Sequence, residues 1–397
     1  MSVFYPRLLA LLLLPLLLFS LCLRPAAVFA APAAVWRELT QQSAEPPAPA
    51  PLALPRLSAA AYILTAPGQD AVLAEQAADE RLPMASTTKI MTALVVLETC
   101  PLDAVVTVPR EAVGVEGSSM YLFAGETLTI ETLLWGLLLS SANDAATALA
   151  LYAAGSVAAF AARMNEKAAA LGLANTHFVN PHGLDDADHY TTARDLATLA
   201  AAALANETFA HMAATRTHSV PQTDTGVVRY FRNHNRLLRT YPGAVGVKTG
   251  YTKKSGRCLV SAAVCDGLLL VAVTLNDPAD WQDHKTLYDA AFAAYAALPA
   301  PTVPLCLPVV GGRQETVTLA TVGAMPACLI PKNAEVAWRL EAPRFLYAGF
   351  EVGTPAGALV CTVDGREIAR LPLTTETGVK KAKKPSLWRR IRRAAAH

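Results

Sequence analysis

The stretch Pro83-Met84-Ala85-Ser86-Thr87-Thr88-Lys89-Ile90-Met91-Thr92-Ala93-Leu94-Val95-Val96-Leu97 puts a serine and a lysine at the head of a run that is apolar almost all round. Such a run reads as a helix buried in the middle of a domain. Residues three apart share a helix face, so the Ser86 hydroxyl and the Lys89 amine can meet. A serine at a helix N-terminus also has backbone N–H groups and the positive dipole end beside it, which favours a developing oxyanion. Lysine acts as a base only when its pKa is lowered, and burial or a second nearby cation does that. Taken alone, Ser-x-x-Lys arises by chance, and a capping serine beside a solvated lysine is the bland alternative. This is the only Ser-x-x-Lys in the chain, and a solvated lysine is awkward on so apolar a helix.

Upstream, Ala60 to Thr65 and Ala71 to Ala74 flank the turn signal Pro67-Gly68-Gln69-Asp70, which predicts a β-hairpin. Downstream, helical patterns cover Thr129 to Leu139, Asp144 to Ala154, Val157 to Leu171 and Arg194 to Leu204. Strand character returns at Ala244 to Val247, Arg257 to Val264 and Leu268 to Asn276, with Asp266-Gly267 as a hairpin turn, before a last helix over Ala279 to Leu298. Strands at both ends with helices between them predict one antiparallel sheet built from distant segments, flanked by helices and carrying an inserted helical subdomain. Pro299 to Pro308 is a proline-rich joint. Short alternating runs beyond it, such as Thr316 to Leu319, Val336 to Leu340 and Ala358 to Cys361, predict a small all-β domain.

Two further motifs could carry chemistry. Ser141-Ala142-Asn143 follows the apolar run Leu133 to Leu139, although Ser and Asn commonly join two helices and cap the second. Lys248-Thr249-Gly250 follows the strand-like Ala244 to Val247. A lysine on a strand edge can hold a carboxylate and Gly250 lets a ligand backbone approach, although a turn leaving a strand is the plain alternative. In this order the three motifs are specific: Ser-x-x-Lys, Ser-x-Asn and Lys-Thr-Gly form the signature of penicillin-binding proteins and class A β-lactamases.

The chain resembles that superfamily, and within it the low-molecular-weight D-alanyl-D-alanine carboxypeptidases of serine peptidase family S11, DacB- and DacF-like. Pro83 to Ala93, Ser140 to Ala146, Gly246 to Thr252, Asn180-Pro181-His182-Gly183-Leu184-Asp185-Asp186 and Thr192-Ala193-Arg194-Asp195 all look like the family. The likeness is strong over residues 57 to 298; the β-rich region beyond resembles the family's second domain more by position than by motif. It implies a β-lactamase/D,D-peptidase-like α/β fold and removal of the terminal D-Ala from peptidoglycan stem peptides. Ser86 would be the nucleophile, Lys89 its general base, and Ser141 a proton relay to the leaving D-Ala. Asn143 would orient Lys89 and the substrate amide, while Lys248 and Thr249, with Gly250 beside them, would hold the terminal carboxylate. Backbone N–H groups of Ser86 and Tyr251 would form the oxyanion hole. The implied chemistry uses no metal and no cofactor, and β-lactams would trap Ser86.

At its N-terminus Arg7 precedes the apolar run Leu8 to Leu23, then Arg24 and small residues ending Val28-Phe29-Ala30. That is the layout of a signal peptide over residues 1–30, with an uncleaved anchor as the alternative, so the bulk of the chain is expected outside the cytoplasm, at the outer face of the membrane or in the wall. Residues 31–56, rich in Pro and Ala, read as a linker. The expected catalytic domain spans 57–298, the β-rich domain 299–376 and a basic tail 377–397. From Lys380 onward the tail carries eight Lys and Arg and no acid, so a net charge of +2 divides into +8 there and −6 upstream. An exported acidic body with such a tail suits anionic lipid or wall polymer rather than nucleic acid. Leu387, Trp388 and Ile391 fall on one side of a short helical pattern ringed by arginines, as in an interfacial contact; a solvated tail is the alternative.

Six cysteines follow the signal region, with no Cys-x-x-Cys pair; disulfides and free thiols both stay open. His177, His182 and His189 with Asp185, Asp186 and Asp188 lack a zinc-peptidase spacing and read as a structural loop. Ser118 and Ser119 read as surface turn residues, with a loop near the cleft as the alternative. A serine β-lactamase would need a Glu-x-x-x-Asn motif between Asn143 and Lys248, and neither Glu166 nor Glu207 begins one. A D,D-endopeptidase or transpeptidase on crosslinks and a non-catalytic wall-binding protein are the remaining alternatives.

Overall fold

A computed structural model describes residues 50, 52–69, 71–221, 228–323 and 328–383. The signal segment, most of the linker, Asp70 of the first turn and the tail from residue 384 lie outside the described residues. Contacts divide the described chain into two compact units, one built from residues 47–299 together with 327–334, the other from the C-terminal segments 300–326 and 335 onward.

In the first unit, β1 (Ala61–Ala66) and β2 (Ala71–Gln76) form the expected hairpin. A 3-10 turn over Ala85–Thr88 runs into α1 (Lys89–Thr99). Then come β3 (Val105–Thr107), β4 (Thr127–Thr129), α2 (Ile130–Leu139), α3 (Asn143–Ala154), α4 (Val157–Ala170), α5 (Ala193–Leu204) and α6 (Glu207–Ala214). The helix starts follow from side-chain caps: Thr129, Ser156, Thr192 and Asn206 each accept from the backbone N–H three residues on. Helix α3 ends at Gly155, whose φ of 75° only glycine adopts freely. A hairpin of β5 (Thr217–Pro221) and β6 (Val228–Arg232), then α7 (Leu237–Thr240), lead to β7 (Ala244–Thr252), β8 (Gly256–Cys265), β9 (Leu268–Leu275), α8 (Asp280–Ala294) and β10 (Tyr295–Ala297).

The main sheet has the antiparallel order β2-β1-β9-β8-β7, so the strand nearest the N-terminus pairs with one more than 200 residues later in the chain. Side-chain alternation sorts its residues between two cores. Ile63, Val260, Val271 and Val273 face the helical cluster around α1, α2, α3 and α5. Leu64, Leu259, Leu270 and Ala272 face α8 through Leu287, Tyr288 and Phe292. Helix α1 is buried from Lys89 to Val96, and each large apolar side chain on it contributes roughly 1.5–3 kcal/mol. Strand β7 runs through Lys248, Thr249 and Gly250 rather than stopping before them, and it is an edge of the sheet.

Three boundaries differ from the sequence reading. The last helix stops at Ala294, because Tyr295–Ala297 pair with β13 (Leu329–Pro331), a strand expected in the C-terminal domain. The end of the presumed linker is packed: Leu52 and Leu54 lie against the α8-side core, and the Tyr295 hydroxyl donates to Ala50 O at 2.6 Å. The first residues of the tail belong to the C-terminal unit, where Val379 is buried. That unit adds β11 (Cys306–Val310), β12 (Thr316–Thr321), β14 (Val336–Glu341), β15 (Leu346–Tyr347), β16 (Pro355–Val363) and β17 (Arg366–Thr375), in the sheet order β14-β16-β17-β12-β11-β15. Its core gathers Leu307, Val309, Val317, Leu319, Leu359 and Leu373. Cys100, Cys258, Cys265, Cys306 and Cys328 are free thiols. Among the described residues no single helix is long and apolar enough to cross a membrane.

Candidate active site

Ser86 lies on the 3-10 turn that opens α1, and Lys89 is the first residue of the helix itself. The lysine is completely buried, with its Nζ 2.8 Å from Ser86 Oγ, 2.7 Å from Asn143 Oδ1 and 2.7 Å from the carbonyl oxygen of His182. Asn143 is the first residue of α3. Its Nδ2 donates to Glu116 O, which turns Oδ1 toward the lysine. Two of the three Lys89 partners are therefore pure acceptors. A neutral amine has two N–H bonds and one lone pair, so donating to both carbonyls leaves the lone pair facing Ser86 Oγ.

Burial pushes the Lys89 pKa well below the usual lysine range, and the nearby Lys248 charge lowers it further, against a smaller opposing effect of Asp144. Lys248, on β7, is 1% exposed, and burial lowers its pKa to about 7. Its Nζ donates to Ser141 Oγ and to Thr249 O, each at 2.9 Å. Repulsion between the two ammonium groups is reciprocal, so loss of the proton from one favours the charged form of the other. Ser141 sits between α2 and α3 with a φ of 58°, and it is buried. Ser86, Lys89 and Asn143 thus form one hydrogen-bonded chain and Ser141 with Lys248 another, joined through Ser141-Ala142-Asn143. Gly250 brings the edge strand against the serine: a Cβ there would stand 3.1 Å from Ser86 N. Tyr251, next along the strand, keeps its side chain 67% exposed.

Around these residues stand groups that the sequence reading did not assign. The Asn180-Pro181-His182-Gly183 segment, read as a turn, supplies the His182 carbonyl to Lys89 and the Pro181 carbonyl to Thr92 Oγ1 at 2.6 Å. Asn180 Oδ1 accepts from Gly183 N at 2.7 Å and so fixes that turn. Burial lowers His182 to a pKa of about 3, and the Lys89 charge adds to it, so its ring is neutral. Ser118 and Ser119 are more than surface turn residues. Ser118 O accepts from Asn143 N, and the Ser119 hydroxyl donates to Asp144 Oδ2 at 2.6 Å. Asp144 also accepts from the backbone N–H groups of Met120, Leu122 and Ala145, which pins the 116–122 loop to the start of α3. The aspartate was visible in the sequence as the residue after Asn143, but nothing local indicated what it binds.

The arrangement can activate a serine for acyl transfer next to a cationic site for a carboxylate. The family model described as D-alanyl-D-alanine carboxypeptidase, peptidase family S11, matches residues 43–279. The chain belongs to that family. It is 32% identical over 327 residues to D-alanyl-D-alanine carboxypeptidase DacF of Bacillus subtilis, covering 78% of this chain and 83% of the relative. Among solved structures it resembles D-alanyl-D-alanine carboxypeptidase DacD of Francisella tularensis, with a TM-score of 0.61 at 26% identity over 87% of this chain and 98% of the other. It also resembles the Streptomyces K15 DD-transpeptidase, with a TM-score of 0.58 at 36% identity over 61% of this chain and 100% of the other. The β-lactamase/D,D-peptidase-like fold expected from the motifs is the one these neighbours share.

Proposed function

We propose that this S11 enzyme removes the terminal D-Ala from peptidoglycan pentapeptide stems through an acyl-enzyme on Ser86. The observation that carries the reading is the contact of Lys89 Nζ with Ser86 Oγ at 2.8 Å while its other two partners are carbonyl oxygens. Ser86 Oγ attacks the carbonyl carbon of the penultimate D-Ala as its proton passes to Lys89 Nζ. The tetrahedral oxyanion lies between the backbone N–H groups of Ser86 and Tyr251, each worth about 3 kcal/mol of barrier. The C–N bond breaks, and the leaving D-Ala nitrogen takes a proton through Ser141. Lys248 and Thr249 hold the terminal carboxylate, and that requirement is what makes the reaction an exopeptidase step. Water then cleaves the ester, returning Ser86 and releasing the shortened stem as its acid. A β-lactam enters the first half of the same sequence and stays on Ser86.

The substrate lies in the wall, so the enzyme acts outside the cytoplasmic membrane. The basic tail is read as a contact with anionic lipid at the outer face of that membrane, from its eight cations and its Leu387, Trp388 and Ile391. The deciding measurement is D-Ala release from a pentapeptide ending in D-Ala-D-Ala, for the mature protein and for Ser86→Ala. Release that is lost in the variant and blocked by penicillin supports the reading. Penicillin labelling of Ser86 without release, together with cleavage of a crosslinked dimer, would replace it with endopeptidase action.

A further inference from the structure

The residue before the nucleophile is gripped by a relay that no step of the reaction uses. Ala85 has a φ of 47°, a left-handed backbone that costs an alanine roughly 1–2 kcal/mol. Its carbonyl oxygen accepts from Thr88 Oγ1 at 2.8 Å. Thr88 Oγ1 is in turn 2.8 Å from His189 Nε2, and His189 Nδ1 accepts from the backbone N–H of Val179 at 3.1 Å. That last bond fixes the tautomer. A neutral ring whose Nδ1 accepts carries its proton on Nε2, so Nε2–H donates to Thr88 Oγ1, and the hydroxyl spends its own proton on Ala85 O. Burial supports the neutral ring by lowering the His189 pKa to about 4. Thr88 is fully buried and His189 is 3% exposed.

The Ala85 carbonyl and the Ser86 N–H belong to one planar trans peptide and point in opposite directions. Whatever holds the carbonyl therefore aims the N–H. We infer that Thr88 and His189 are positioning residues that orient the Ala85–Ser86 peptide so that the Ser86 N–H points into the cleft as an oxyanion donor. The relay spans 101 residues of sequence between Thr88 and His189, so it ties the nucleophile turn to the His182–His189 loop that also supplies a carbonyl to Lys89. The Thr88 and His189 side chains bond to Ala85 O and Val179 N, while Ser86 Oγ and Lys89 Nζ bond to each other. Their effect falls on stabilisation of the transition state rather than on activation of the nucleophile.

The inference rests on the Ser86 N–H being an oxyanion donor, and the test separates the two claims. Hydrolysis of a D-Ala-D-Ala-ended peptide is compared with that of an analogue whose scissile carbonyl oxygen is replaced by sulfur, a longer and poorer hydrogen-bond acceptor. The parent should prefer the oxygen substrate strongly; no preference there would remove the oxyanion reading itself. Thr88→Val keeps the shape and deletes the hydroxyl, and it should lower kcat on the oxygen substrate by about 10-fold or more while changing the sulfur rate much less. His189→Phe should reduce the oxygen-to-sulfur ratio by a smaller factor, because Thr88 can still donate to Ala85 O. Thr88→Ser should restore the parental ratio, and it keeps the test decisive where the valine protein is poorly folded. Equal slowing of both substrates in Thr88→Val and His189→Phe, or a ratio in Thr88→Ser that stays low, would overturn the inference.

Discussion

Replacing Gly183 by alanine tests how tightly the nucleophile turn is clamped. Gly183 has a φ of 91°, and a Cβ there would stand 1.9 Å from Ala85 O and 2.8 Å from Thr88 Oγ1. Real Cβ atoms essentially never approach closer than 3.0 Å, so the Ala85 carbonyl and the 180–183 turn must part by about 1 Å. A shift of that size next to the reacting atoms costs about 10²-fold in rate. The positive φ separately costs about 1–2 kcal/mol of stability, which lowers Tm by roughly 2–8 °C in a domain of this size. The assay is the second-order rate of acylation by a fluorescent penicillin, measured well below a midpoint fixed by calorimetry. Gly172→Ala serves as the control, because Gly172 has a φ of 73° with nothing within 4 Å. It should lose similar stability and acylate at the parental rate. A folded Gly183→Ala protein that acylates as fast as this control would refute the clamp.

Burial pushes both lysines below their ordinary range. For the free enzyme, kcat/KM should rise with pH as Lys89 gives up its proton and fall again above about 7 as Lys248 loses its charge; no fall between about pH 6 and 9 would contradict the Lys248 assignment. Asn143→Asp sets a carboxylate where an amide now lies 2.7 Å from Lys89 Nζ, which favours the charged amine and should move the rising limb up by roughly 1–3 pH units; the acylation pH profile checks it. In Asp144→Asn, the amide nitrogen must face at least one backbone donor, since Oδ1 accepts from Met120 N and Ala145 N, and Oδ2 from Leu122 N and the rotatable Ser119 hydroxyl. Each donor left unpaired costs about 1–3 kcal/mol, so calorimetry should show a clear fall in Tm with the penicillin site still reactive.

Much of the first unit followed from local pattern. The buried helix after Ser86 followed from a run with no polar face, and the Asp266-Gly267 turn from residues that accept the positive φ it needs, 48° and 80°. The misjudged boundaries share a cause. Leu52, Leu54 and the Leu329–Pro331 strand are short pieces with little periodicity of their own, and distant partners decide their structure. Ser118, Ser119 and the Asn180–Gly183 turn are loops as expected, but their partners were illegible for the same reason, because their hydrogen bonds reach residues 25 to 93 positions away.

By itself the sequence determined the three motifs, their order and the helix and strand types that carry them, because these depend on spacing within a few residues. Tertiary structure alone decided how the two Ser–Lys pairs divide the work. Ser86 with Lys89 and Ser141 with Lys248 use the same side chains, and the difference lies in what else surrounds each amine. Lys89 meets two carbonyl oxygens from segments 54 and 93 residues away and feels the Lys248 charge, which leaves a lone pair for Ser86. Lys248, 107 residues beyond Ser141, instead meets that serine's hydroxyl and the Thr249 carbonyl, and burial lowers its pKa to about 7. Spacing can bring a serine and a lysine together, but the protonation of a buried amine is set by every dipole and charge packed around it.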